Sequence, residues 1–304
     1  MGSDPNADTR PETVRRFTKA LLADLQALEA MLEQGMIESG VRRIGCEQEM
    51  FLVDQSWRPA PVSVDVLGRL SHDAFTTELA LFNLEMNIEP RLLAGTCFSD
   101  LEARITELLG LADEAARGVG ARVVLSGILP TLAKSDLSLD NITPRPRYYA
   151  LNEALTRMRG GAYRLRIEGM DELHVEHDSV MLEACNTSCQ VHLQVDADEF
   201  ARLYNVAQLV VAPVLAAAVN SPLLFGRRLW AETRIALFQQ SLDTRSSSVH
   251  LRDLAPRVRF GDGWIKRSVT ELFQEDIAQF RVLMTQDVDE DPFALLDQGQ
   301  VPRL

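Results

Sequence analysis

Glu47 and Glu49 stand two apart in Gly45-Cys46-Glu47-Gln48-Glu49, while Ile44, Cys46, Met50 and Leu52 at the intervening parity are apolar. The alternation recurs twice. Asn83, Glu85, Asn87 and Glu89 interleave with Phe82, Leu84, Met86 and Ile88, and Ser188, Gln190, His192 and Gln194 with Cys189, Val191, Leu193 and Val195. Period-two alternation predicts strands with one apolar and one polar face. Carboxylates crowded on neighbouring strands repel one another more as water is excluded, so a close cluster calls for cations or raised pKa values. Oxygen ligands with an imidazole suit Mg2+ or Mn2+, ions that bridge protein acids to substrate phosphates. Any one row is equally explained as the wet face of an antiparallel sheet. Three rows of one design favour a metal-nucleotide cradle.

The elements around these strands are legible from period and punctuation. Val14, Phe17, Leu21, Leu25, Leu28 and Leu32 recur at steps of three and four from Pro11, which predicts an amphipathic helix ending near Gly35. Ser99 and Glu102, in capping-box spacing, predict a helix start, with Ile105, Leu108, Ala112 and Ala115 on one face and Gly118 and Gly120 closing it. Arg122 to Ile128 reads as a buried strand. Residues 129–147 contain three prolines and read as a long surface loop leading into a helix over Tyr148 to Met158. A helix from about Asp198 to Val219 ends at Asn220-Ser221-Pro222. Its apolar run, Val206 to Val219, falls short of the roughly 18 residues of a membrane span and reads as buried. A further helix is predicted over Ser268 to Met284.

With 46 % hydrophobic and 25 % charged residues, the 304-residue chain has the composition of an ordinary folded protein, which excludes disorder, fibre and disulfide scaffold as its main state. It carries 31 basic and 44 acidic residues, a net charge of −13, with no basic-aromatic cluster, so nucleic acid is not an expected partner. Cys46, Cys97, Cys185 and Cys189 have no zinc spacing and read as reduced thiols of a cytoplasmic protein. Residues 1–10 are polar and read as a loose tail, leaving 11–304 as one domain of α+β class. Small-molecule substrates are expected, with no membrane, and a homo-oligomer is left open.

The motifs resemble the bacterial glutamate-cysteine ligase type 2 group, the carboxylate-amine ligases related to glutamine synthetase. Four segments carry the resemblance in order: Gly45-Cys46-Glu47-Gln48-Glu49 with Phe51-Leu52-Val53-Asp54, then Glu78 with Asn83-Leu84-Glu85-Met86-Asn87, then Ser188-Cys189-Gln190-Val191-His192-Leu193, then Asn220-Ser221-Pro222 with Gly226 and Arg234. The resemblance implies a large antiparallel sheet curved into a funnel, with helices outside. It implies an ATP- and Mg2+-dependent (or Mn2+-dependent) ligase that activates a carboxylate as an acyl phosphate for attack by an amine. By the same resemblance Glu47, Glu49, Glu85 and His192 match metal positions, with Asn87 and Gln190 beside them at the nucleotide. Arg147 and Arg234 would face phosphate or substrate carboxylate, where a guanidinium offers paired hydrogen bonds.

Two departures stand out. Gln190 replaces the first histidine of a His-x-His pair, and no counterpart of a later acid- and arginine-bearing strand precedes Leu304. The chain is therefore read as a piece of a longer protein, with a noncatalytic nucleotide- or metal-binding module as the second reading. His174 and His177 fall on opposite strand faces and are set aside as ligands. Cys185 and Cys189 read as small core residues rather than a redox pair.

Overall fold

The computed structural model describes residues 10–245, 255–286 and 290–302. In chain order the elements are α1 (Pro11–Glu33), β1 (Arg43–Val53), α2 (Ser63–Arg69), β2 (Phe75–Thr77), β3 (Asn83–Leu92), α3 (Cys97–Arg117), β4 (Arg122–Val124), α4 (Pro146–Arg159), β5 (Tyr163–Glu168) and β6 (Glu172–His177). There follow β7 (Cys189–Leu193), α5 (Phe200–Ala217), β8 (Leu223–Leu224), β9 (Arg227–Arg228), α6 (Thr233–Ser241), α7 (Thr270–Gln279) and α8 (Pro292–Asp297). Three 3-10 turns, Lys134–Leu137, Leu139–Asn141 and Val180–Cys185, lie between them. The class is α+β, with antiparallel sheets.

The main sheet runs β2-β3-β1-β4, with β7 also paired to β1. One edge of β1 serves two partners, β7 along residues 44–48 and β4 along residues 51–53. On the other edge Glu47 lies opposite Asn87 and Glu49 opposite Glu85. Alternation then gives the two faces different fates. Ile44, Cys46, Met50, Leu52, Leu84, Met86 and Ile88 pack with Val66 of α2 and with Leu101, Leu108, Ala112 and Ala116 of α3 in one core. On the opposite face Phe51 and Val53 enter a second core with Ile167, Leu173, Met181, Leu182 and Leu237. That second layer covers only part of its face, and Glu47 and Glu49 lie on the same strand face beyond it.

Several expectations give way. The helix predicted from Ser99 begins two residues earlier, at Cys97 after Thr96, whose hydroxyl donates to Asp100 at 3.0 Å, so Ser99 lies inside the first turn. The strand predicted to Ile128 stops at Val124. The 129–147 connection is a loop with much of its length exposed, as expected, but Leu129, Leu132, Leu137 and Ile142 anchor it in the second core. The terminal helix α7 is shorter than predicted, and α8, capped by the Asp291 carboxylate, was not anticipated. The predicted tail lies almost wholly outside the described residues, as does most of the Arg/Ser-rich stretch after Thr244.

Two apolar faces are not buried. Only Ala201 of α5 is buried, and Leu209 and Val214 are 63 % and 58 % exposed. The helix spans 18 residues and, among the described residues, is the one long and apolar enough to cross a membrane by length and composition. The reading of this run as a short buried helix is therefore corrected. Val191 and Leu193 of β7 are likewise exposed, as is Cys189, which was read as core. Its sulfur stands 3.6 Å from that of Cys46 on β1 rather than beside Cys185. His174 and His177 do lie on opposite faces of β6: the first is exposed against Glu172, the second buried against Ser179.

Candidate active site

Glu49, Glu78 and Glu85 reach one another from three places in the chain, each offering an oxygen within 4.8 Å of the others. Glu49 projects from β1 and Glu85 from β3, directly opposite. Glu78 follows β2, where Thr143 holds the backbone by donating its hydroxyl to the Glu78 carbonyl at 2.6 Å. Glu78 appeared in the sequence only as part of a resemblance, because it lies outside the alternating rows.

Glu49 is held on both oxygens. The Ser188 amide donates to one at 2.8 Å and the Ser188 hydroxyl to the other at 3.0 Å, joined by the Gln190 amide at 3.3 Å. Burial nevertheless raises its pKa, helped by the charge of Glu85 and opposed by those donors. At Glu78, burial comes first and a hydrogen bond shared with Glu85 second, with Glu49, Glu85 and Glu183 adding repulsion, so its pKa is pushed up to about 9. Glu183, in the 3-10 turn of the second core, is pushed up to about 7 by burial and by Glu49. No pattern in the sequence marks Glu183, because a 3-10 turn has neither strand nor helix period.

The other predicted residues divide into neighbours and absentees. Asn87 donates to Glu85 at 2.6 Å, so amide and carboxylate form one unit on β3. Glu47 lies one pleat from Glu49 and meets His192 Nε2 at 3.4 Å, a second pair along the same face rather than part of the three-acid group. Arg147 heads α4, lies over the Tyr148 ring at 4.6 Å and donates to its hydroxyl at 2.6 Å. That bond, with the charges of Glu78 and Glu85 as lesser contributors, raises its pKa and places it in the field of the cluster. Arg234 is engaged elsewhere: its Nε donates to the buried Glu232, and Nη2 reaches the Ala218 carbonyl at 3.4 Å.

Glu232 also accepts the Asn220 amide at 2.8 Å, and Asn220 Oδ1 accepts the Gly127 amide at 2.6 Å. The Asn220–Pro222 turn is thus pinned to the loop after β4. Close approach requires glycine at 127, since a Cβ there would lie 2.4 Å from Asn220 Oδ1.

A divalent cation fits this donor set. Three carboxylates share one small volume at the cost of a retained proton, the arrangement a 2+ charge relieves. On the same face of β3, Asn83 is 2 % exposed with neither amide atom hydrogen-bonded in the protein, leaving an oxygen and an NH2 group in need of partners. A cleft of about 720 Å³ opens next to the Glu47–His192 pair.

Residues 43–257, more than two-thirds of the chain, match the family model described as glutamate-cysteine ligase family 2. The matched stretch contains β1, β3, β7 and the Asn220–Pro222 turn. No curated protein matches the chain.

Proposed function

Because this chain belongs to glutamate-cysteine ligase family 2, a family of carboxylate-amine ligases, we propose that it is an ATP- and Mg2+-dependent (or Mn2+-dependent) ligase of the glutamate-cysteine ligase type. The observation that carries the reading is the convergence of Glu49, Glu78 and Glu85 on one polar sheet face beside Arg147. In this reading residues 11–304 form one catalytic domain, and the sheet is the wall of a glutamine synthetase-like funnel.

The reaction begins when a substrate carboxylate oxygen attacks the γ-phosphorus of ATP and ADP leaves. The amine nitrogen then attacks the acyl carbon, phosphate departs, and the nitrogen gives up a proton. Every reactant but the amine is an anion, so assembly is an electrostatic problem before it is a covalent one. Glu49, Glu78 and Glu85 would hold the cation, with Glu47 and His192 one pleat away. When bound, the cation supplies positive charge that offsets repulsion between the carboxylates and the phosphates. Ser188 and Gln190 orient Glu49, Asn87 orients Glu85, and Arg147 offers a fixed guanidinium to phosphate or substrate carboxylate. Arg234, tied to Glu232, acts as a positioning residue for the Asn220–Pro222 turn.

The test is ADP release with Mg2+, glutamate and a panel of amines. Release that needs both glutamate and an amine supports the reading, and Glu85→Ala should reduce it at least about 100-fold, as expected for loss of a transition-state charge contact. An unchanged rate in folded Glu85→Ala removes the residue from the mechanism. Nucleotide binding without release in any mixture selects the noncatalytic module, the reading favoured by Gln190 in place of a histidine.

A further inference from the structure

β7 is an edge strand: among the described residues it pairs with β1 and has no strand on its other side. The Ser188 carbonyl accepts the Glu49 amide at 2.9 Å, and the Gln194 amide donates to the Arg43 carbonyl at 2.9 Å, so the even-numbered residues bond to β1. By the alternation of an antiparallel ladder, the amides and carbonyls of Cys189, Val191 and Leu193 point to the open side. An open edge is a template for another strand, and proteins blunt such edges with charge, proline or a bulge. β7 has none of these: its sequence is Cys-Gln-Val-His-Leu, and its register on β1 runs unbroken.

α5 runs back alongside this strand and is equally bare. Its start is held at the far end of β7, where Asp196 accepts the Gly40 amide at 2.8 Å and Glu199 pairs with Arg42. Its end returns to the near one, where the Gly127 carbonyl accepts the Thr187 amide at 3.1 Å and the Gly127 amide donates to Asn220 Oδ1 at 2.6 Å. Val206, Leu209, Val210, Pro213, Val214 and Ala217 recur at helical steps on its outward face, all exposed and none polar. With Val191 and Leu193, 60 % and 57 % exposed, they present on the order of 700 Å² of apolar surface, above the ~300–600 Å² of a typical monomer's largest patch and close to the ~800 Å² per partner of a stable interface.

Charge and pattern name the occupant. The chain carries a net charge of −13, yet no charged side chain lies between Leu203 and Val219 or within β7, so two copies repel one another least here. A strand suited to the open edge is uncharged and alternates, with its apolar residues on the side of Val191. β7 is itself such a strand, and an antiparallel pair of identical strands is self-complementary, as a two-fold axis requires.

We propose that the chain forms a homodimer about a two-fold axis at Val191, with β7 paired antiparallel to its own copy and the outward faces of the two α5 helices covered in the same contact. The main sheet then continues across the axis, and the polar rows of Ser188, Gln190 and His192 from the two copies become neighbours on one face. This inference does not depend on the ligase reading.

Sedimentation velocity of the full chain over a dilution series tests it. The expected result is a dimer that dissociates on dilution. Val191→Lys sets two like charges opposite one another at the axis, and Val214→Glu sets two acids on the α5 faces. Each should weaken dimerisation at least about tenfold, while the melt of the dilute chain stays unchanged because both side chains are exposed. Mixing Val191→Lys with Val191→Glu should restore the dimer to within about threefold of the unaltered affinity, a rescue that requires residue 191 to face its own copy. A monomer at every concentration, or a dimer indifferent to both substitutions, overturns the proposal. A mixture of the two charge variants that stays monomeric overturns the axis at Val191. A monomer that instead sediments with phosphatidylcholine vesicles overturns the second copy in favour of a lipid surface.

Discussion

The cation proposed for the space between Glu78 and Glu85 would have to compete with a proton there, and the competition has a measurable size. Glu78 has an ordinary carboxylate value of 4.5 when exposed and about 9 in the folded, cation-free protein. At pH 7 the folded state therefore holds this proton in roughly 99 of 100 molecules, and a cation that needs the ionised carboxylate binds about 100-fold below its limiting affinity. Affinity should climb about tenfold per pH unit from 6 to 8.5. Titration calorimetry of Mg2+ or Mn2+ in two buffers of different ionisation heat should show about one proton released per cation. The sign for stability follows. Between pH 4.5 and 9 the cation-free native state binds more protons than the unfolded chain, so its stability falls as pH rises through that window, and bound cation reverses the trend. Glu78→Gln has no proton to release. Its affinity should rise with pH only through Glu49, which burial also raises, and Glu183, whose value is about 7, so the dependence should be weaker than in the unaltered protein. Cation affinity that stays flat with pH in the unaltered protein, or proton release undiminished in Glu78→Gln, would refute the placement of the retained proton.

Three other outcomes are expected. Gly127→Ala should cost about 1–3 kcal/mol through overpacking against Asn220, lowering the melting temperature by several degrees, and an unchanged melt would show that the Asn220–Pro222 turn is not pinned there. Asp171 is held down at about 2 by the Arg228 side chain and backbone amide, against an ordinary 3.8. Its stabilisation should be present above about pH 4 and fade as pH falls towards 2, and Asp171→Asn should flatten melts compared at pH 5 and pH 2.5. Leu209→Ser on α5 should leave the stability of the single chain, measured in dilute protein, within about 0.5 kcal/mol, because the side chain is exposed there, and a loss of several degrees would show that the face is covered within the chain.

What the sequence disclosed and what it withheld divide along physical lines. Rows governed by a local period were legible: Glu47, Glu49, Glu85 and Asn87 occupy the polar faces that alternation assigns to them. Features set by long-range packing were not. Glu78 reaches the cluster through a chain bend held by Thr143, 65 residues away, and Glu183 acts on it through its charge alone, from a 3-10 turn packed in the second core. Alternation in β7 predicted a buried face, yet alternation records only which residues share a side, not whether another layer arrives to cover them. The 129–147 segment is the loop its prolines advertise, but period gives no sign that its leucines anchor it in a core. Arg234 looked free to meet an anion because Glu232, two residues before it, carries no spacing that announces a pair.

The divided edge of β1 bears on how the chain keeps its alignment. A strand's register is usually locked by the burial of one of its faces, but in the single chain β7, paired to β1 alone, has no buried face to offer, with Val191 and Leu193 in water. A slip of one residue would turn Cys189 and Val191 towards the acids and Gln190 and His192 away. What resists the slip is the grip of Ser188 and Gln190 on Glu49, together with Gln48 on the Ser188 carbonyl at 3.1 Å. The carboxylate proposed to serve the chemistry is thus also the ratchet tooth of the strand, so that replacing Glu49 would loosen the register as well as empty the cluster.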